Sequence, residues 1–149
     1  MIVPVTDIGS ALEPKIGISP QSLSGTAVVN GTGIDRLGGD AGAPYESADL
    51  EVQTGTSTGA PTSYAHAFTL QDSADNATFA NFDDTINGNS PPTVSMTADG
   101  TIKRVKVCLK GARQYVRVVA TPAFTGGTSP TTPVCATLVL GGAAVIPTP

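Results

Sequence analysis

Glycine and proline punctuate this chain so densely that no long helix can be built from it. Among its 149 residues are 17 Gly and 12 Pro. Proline removes a backbone donor and clashes with the preceding turn, and glycine costs helix entropy. The residues between these breakers lean the same way. Val, Thr, Ser and Ala fill much of the chain, whereas it holds only three Glu and four Lys. Val and Thr pack well on a pleated surface and gain little from a helix. The expectation is therefore an all-β fold: an antiparallel two-sheet sandwich, jelly-roll-like, of eight or nine strands.

The length fits one domain, large enough to bury a core without disulfide staples. We divide it into an extended N-terminal arm, residues 1–23, and a β-sandwich, residues 24–149. In the arm, Pro4, Pro14 and Pro20 alternate with Val3, Val5, Ile8, Leu12, Ile16 and Ile18. Prolines at that spacing forbid a long helix, yet the apolar residues call for burial. An arm lying along its own domain or a neighbouring subunit satisfies both, which makes those six residues the candidate contacts. The competing reading is a frayed terminus with one edge strand.

Beyond residue 23, strand-like runs alternate with turn chemistry. Ser24–Asn30 and Ile34–Leu37 flank Gly31-Thr32-Gly33. Ala48–Thr54 places Leu50 and Val52 on one face, and Ser63–Leu70 aligns Tyr64, His66, Phe68 and Leu70. A short strand begins near Thr78–Phe82. Thr93–Ala98 leads to Asp99-Gly100, whose tolerance of positive φ predicts a hairpin into Ile102–Lys110. There Val105, Val107 and Leu109 face inward. Tyr115–Thr121 and Val134–Leu140 complete the pattern, and these last strands are expected to be antiparallel neighbours.

Charge is sparse but unevenly placed. Residues 1–100 carry all twelve carboxylates with only Lys15 and Arg36, a balance of −10, while residues 101–149 carry six cations and no acid. Those cations are Lys103, Arg104, Lys106, Lys110, Arg113 and Arg117. A nucleic-acid site would want a platform of aromatic rings beside them, and the strand positions nearby are too poor in aromatics to offer one. The better expectation is that the basic segment faces an acidic surface of its own fold or of a partner. No apolar run approaches the length of a transmembrane helix, and the first residues lack a signal peptide's basic and apolar regions. Neither nucleic acid nor a membrane is an expected partner.

Candidates for chemistry are few. Cys108 and Cys135 sit in apolar β-like runs without metal-ligand spacing, and are expected as free core thiols rather than a disulfide. His66 is the single histidine, placed mid-strand among inward residues, a core position rather than that of a catalytic base. Asp72, Asp75, Asp83 and Asp84 lack the register and closing Glu of a calcium loop, so turn formation explains them better. Gly31-Thr32-Gly33 has no following helix to make a phosphate loop. The chain is expected to be no enzyme, with no cofactor, no metal and no small-molecule ligand.

Four stretches carry a resemblance: VNGTGID (29–35), TLQDSADNATFANF (69–82), RQYVRVVATPAFTGGTSPTTPV (113–134) and ATLVLGGA (136–143). In this order they resemble small tailed-bacteriophage virion proteins encoded beside the major capsid protein. The resemblance implies a head decoration or cement protein with a jelly-roll fold. Its implied partner is the major capsid protein, its implied assembly a trimer, and its implied place the exterior of the phage head, after synthesis in the host cytoplasm. The alternatives are another virion part (tail, connector or fibre) and a carbohydrate-binding module. Absence of Trp weighs against the last.

Overall fold

The computed structural model describes residues 12–37 and 44–142. Within them all regular structure is strand, in twelve segments. These are β1 (Leu12–Ser24), β2 (Val29–Asn30), β3 (Ile34–Asp35), β4 (Ser47–Thr54), β5 (Ser63–Tyr64), β6 (His66–Ser73), β7 (Ala80–Asn81), β8 (Thr93–Met96), β9 (Ile102–Cys108), β10 (Tyr115–Thr121), β11 (Phe124–Thr125) and β12 (Thr131–Gly141). The first sheet has the order β1-β12-β4-β9. In the second, β10 and β6 are central, with β2 and β3 both on the outer side of β10, and β7 and β8 both on that of β6. β5 and β11 form a small separate ribbon. Every pairing is antiparallel.

Treating β2 with β3, and β7 with β8, as one ladder position each gives two four-position sheets. Their order is that of a jelly roll. The expected sandwich is thus present, with more segments than the expected eight or nine. The additional segments are β1 itself, β5, separated from β6 at Ala65, and β11, which pairs with β5. Between β2 and β3, Gly31 lies so close to β1 that a Cβ there would come within 2.0 Å of the Gly17 carbonyl oxygen. The ladder breaks at that crossing and resumes at Ile34.

The core lies between the sheets. Leu50, Val52, Phe68, Leu70, Met96, Leu109, Val116, Val118, Leu138 and Leu140 have no measurable exposure. They fall at alternate positions of their strands, so the period-two pattern specifies which face is buried.

Two expectations are corrected. Asp99-Gly100 does turn the chain, with Gly100 at φ +60. It is not a hairpin, however, because β8 pairs with β6 and β9 pairs with β4, so the turn carries the chain from one sheet to the other. Asp99 fastens this corner by accepting the Ser57 N–H at 2.8 Å, the Ser57 hydroxyl at 2.6 Å and the Tyr64 hydroxyl at 2.8 Å. Those bonds, led by Ser57, hold its carboxyl below the usual range. Likewise β9, β10 and β12 are not neighbours: they alternate between sheets. A two-residue turn signal encodes a reversal, but not whether the next strand pairs with the last or crosses the sandwich.

The stretch set apart as an arm also changes character. Residues 12–23 form most of β1, paired with β12 along Leu12–Ser24. They are extended as expected, but they belong to the first sheet. Residues 1–11, with Val3, Val5 and Ile8, lie outside the described residues.

Candidate functional site

The outer face of the first sheet and its two edges hold the exposed groups that the core does not use. The register sets out this face in rows. Leu12, Gly141, Ser47 and Cys108 form one, Pro14, Val139, Asp49 and Lys106 the next, and Ile16, Thr137, Glu51 and Arg104 a third. One side of the sheet is therefore apolar and the other charged. Between them a shallow groove of about 570 Å³ runs over Ser47, Asp49, Val139 and Gly141, with Leu12 on one rim and Asn87, Arg104, Lys106 and Cys108 on the other.

The six predicted contact residues separate here. Leu12 is 44% exposed and Ile16 66%, and with Pro14 they make an outward apolar strip along β1. Ile18 is only 1% exposed and belongs to the core. Simple alternation would put Ile18 on the strip, but the register shifts between Ile16 and Ile18. That β-bulge turns Ile18 inward. At the bulge Gly17 packs on sheet two, where a Cβ would stand 2.6 Å from Val118 Cγ2.

Backbone hydrogen bonds show which groups each edge leaves open. Gly55 N–H donates to the Pro133 carbonyl at 2.8 Å, so odd-numbered residues of β12 face β4 and even ones face β1. Glu13 and Lys15 consequently bond β12, opposite Leu140 and Leu138, while the backbone of Leu12, Pro14 and Ile16 faces outward, where no strand lies among the described residues. Pro14 has no N–H to offer there, which blunts the edge. On β9 the Leu109 N–H donates to Glu46 O at 2.8 Å, and Thr54 N–H to Thr101 O at 3.0 Å. Odd residues of β9 thus face β4. Ile102, Arg104, Lys106 and Cys108 present their backbone outward.

Electrostatics finish each edge differently. On β1, Glu13 takes an ion pair from Lys15 and the Tyr45 hydroxyl at 2.7 Å. The Lys15 bond, then the Tyr45 bond, holds the Glu13 carboxyl low, and Glu13 in turn pushes the Tyr45 phenol up to about 12. On β9, buried Asp84 accepts the Cys108 N–H at 2.8 Å and both the N–H and the side-chain amide of Asn87. Burial opposes its charge, but these donors outweigh burial and leave its carboxyl lowered. Arg104 reaches Asp49 Oδ2 at 3.2 Å, while Asp49 Oδ1 is buried in the groove without a donor. Lys103 reaches the Ser95 carbonyl at 2.8 Å and so bridges β9 to β8.

Other sequence candidates fall into structural places. The basic segment meets carboxylates of its own fold: besides Arg104–Asp49, Lys110 lies 3.6 Å from Glu46 and Arg113 2.6 Å from Asp72. Asp75 closes its turn by accepting the Thr78 and Ala77 N–H groups and the Ser73 hydroxyl, which keeps its carboxyl far below the ordinary range. Among the described residues no three His, Cys, Asp or Glu side chains gather as a metal would require. His66 is fully buried, stacked on Tyr64 at 4.5 Å and edge-on to Phe124 at 4.6 Å. Its Nδ1 accepts the Ala123 N–H at 3.1 Å, and burial pushes its pKa down. Cys108 and Cys135 are free and half-buried rather than core thiols. They flank β4 opposite Ser47 and Gln53, six residues apart along that strand, so they cannot pair within one chain.

Sequence reasoning missed the role of Ile102, Arg104 and Lys106 as an edge. The available signal was the acid-free run of cations alternating with Val105 and Val107. Alternation marks a half-exposed strand but not its place in the sheet.

The fold defines the class of protein as a jelly-roll β-sandwich. No family model and no curated protein matches the chain. Among solved structures it is similar to a chain from turnip yellow mosaic virus, at 10% identity and TM-score 0.33, covering 99% of this chain and 90% of that one. A chain from Desmodium yellow mottle tymovirus gives 9% identity and TM-score 0.33, with coverages of 100% and 97%. The family 11 carbohydrate-binding module from Clostridium thermocellum, in complex with a β-1,3-1,4-mixed-linked tetrasaccharide, gives 11% and 0.31, with 96% and 95%. Likenesses this distant carry no argument about function.

Proposed function

We propose that this chain is a structural virion protein of a tailed bacteriophage, which docks on the outer surface of the capsid and stabilises the shell. It works by binding rather than by catalysis. The observation that carries this reading is the outward strip of Leu12, Pro14 and Ile16 on a sheet edge blunted by a proline. Leu12 and Ile16, with Pro14 between them, line one apolar strip along the strand, the kind of surface on which a partner docks. The resemblance of residues 29–35, 69–82, 113–134 and 136–143 to head decoration proteins supports the same reading. Faces rich in Thr, Ser and Gly lose little side-chain entropy on packing against a lattice.

The partner in this reading is the major capsid protein, and the assembly on the lattice is a trimer. A mass-spectrometric inventory of purified heads, followed by cryo-electron microscopy, tests it. Many copies per head on the exterior are expected. Absence from purified heads overturns the proposal, and a copy number of one ring places the chain at a connector or tail instead. Light scattering on the purified chain tests the trimer.

A further inference from the structure

We propose that the free edge of β9 is a β-augmentation site, which takes an extended acidic segment of a protein partner as a fifth strand of the first sheet. Two observations converge on it. The backbone of Ile102, Arg104 and Lys106 faces away from β4, and in this outward set only the Cys108 amide has an acceptor among the described residues, the Asp84 carboxylate. The groove of about 570 Å³ lies on the β4 side of Arg104 and Lys106, so an added strand is held through its main chain and its contacts to β9 alone. Ile102, 60% exposed, supplies an apolar contact at the start of the strand.

Charge selects the occupant. Arg104, already paired with Asp49, and Lys106, which has no ion pair among the described residues, project on the outer face of β9, where residues of an added strand would stand directly opposite them. Cross-strand opposite charges are favourable and like charges unfavourable. A second β9 is therefore repelled, and a strand carrying Asp or Glu at alternate positions is attracted. Lysine on an edge commonly prevents strand addition. Here the blocking device of the other edge, a proline, is absent, and the cations discriminate among strands rather than forbid them.

The inference rests on the reading above only in taking the capsid as the partner. Binding of the full chain to heads that lack it is compared for wild type, Lys106→Ala and Lys106→Pro. Alanine removes the charge alone; proline removes the charge and the outward N–H, leaving the β4 ladder untouched. Alanine is expected to weaken binding several-fold and proline by at least about tenfold more, the loss of a main-chain hydrogen bond at a desolvated edge. If both variants bind equally well, strand addition is overturned while the function stands. If wild type itself fails to bind heads, the proposed function falls. The edge is then judged with a short peptide alternating valine and glutamate: hydrogen exchange at the Arg104 and Lys106 amides should slow. No slowing, or equal slowing by the valine–lysine counterpart, overturns the inference. The same exchange measurement decides the matter if Lys106→Pro does not fold.

Discussion

The two edges of the first sheet are built on opposite principles. β1 is held by apolar burial and closed by a proline. Ile18 and Leu23 enter the core, and Pro14 removes the middle donor of the outer edge, between those of Leu12 and Ile16. β9 also buries Val107 in the core, but its outer edge is fastened by carboxylates and carries no proline. Asp84 anchors its end, Asp49 pairs with Arg104, and no proline interrupts Ile102–Cys108. One edge is thus suited to side-chain docking and the other to main-chain docking. A sheet with two chemically distinct edges can meet two different neighbours without pairing to itself.

The largest expected effect separates two residues that sequence spacing placed together. Ile18→Ala should cost about 2–5 kcal/mol of stability, the usual range for a buried aliphatic truncation. Ile16→Ala should leave the isolated chain within about 0.5 kcal/mol and weaken only docking. Denaturant unfolding measures both, and equal losses would erase the distinction between strip and core.

On the opposite edge, Asp84→Ala leaves the Cys108 and Asn87 donors without their acceptor. A cost of about 1–3 kcal/mol per buried donor is expected. Thermal unfolding gives the total, and amide exchange at Cys108 shows whether the loss is local to the end of β9.

Acid should produce a gentler form of the same loss. Glu13 and Asp84 both have lowered folded pKa values, against ordinary values of 4.5 and 3.8. Their contribution is complete above those ordinary values and is lost as pH falls through the folded ones, because the unfolded chain binds protons first. Acid therefore loosens β1 through Glu13 and β9 through Asp84. A pH series of hydrogen exchange on the two strands tests this, and unchanged protection of both strands well below those ordinary values would contradict it.

The smallest effect on stability is expected from Pro14→Thr, within about 0.5 kcal/mol at an exposed position. Its consequence should be association, since a restored N–H reopens the β1 edge. Light scattering over a concentration series should show mass rising for the variant beyond that of wild type. Identical behaviour would mean that the proline does not guard this edge.

Strand faces were legible in the sequence wherever alternation was unbroken, as in Ala48–Thr54, His66–Leu70 and Tyr115–Ala120. Alternation is local, set by the pleat within one strand. It failed at Ile18, where the bulge depends on Gly17 meeting Val118 of the other sheet. The candidate site was legible only in part. Leu12 and Ile16 were named from their apolar character, whereas Ile102, Arg104 and Lys106 looked like any half-exposed basic strand. An edge is defined by which strand lies beside it, and that is a property of the pairing.

By itself the sequence determined an all-β sandwich, its buried rows and its turn positions. Those follow from φ preferences and a two-residue period that each segment carries alone. Only the tertiary structure decided that Asp99-Gly100 crosses between sheets, that residues 12–23 are an edge strand, and that one edge is blocked while the other is open. These depend on contacts between residues far apart in the chain, such as Gly17 with Val118 and Asp84 with Cys108. Their free energy exists only once the sandwich has closed around them.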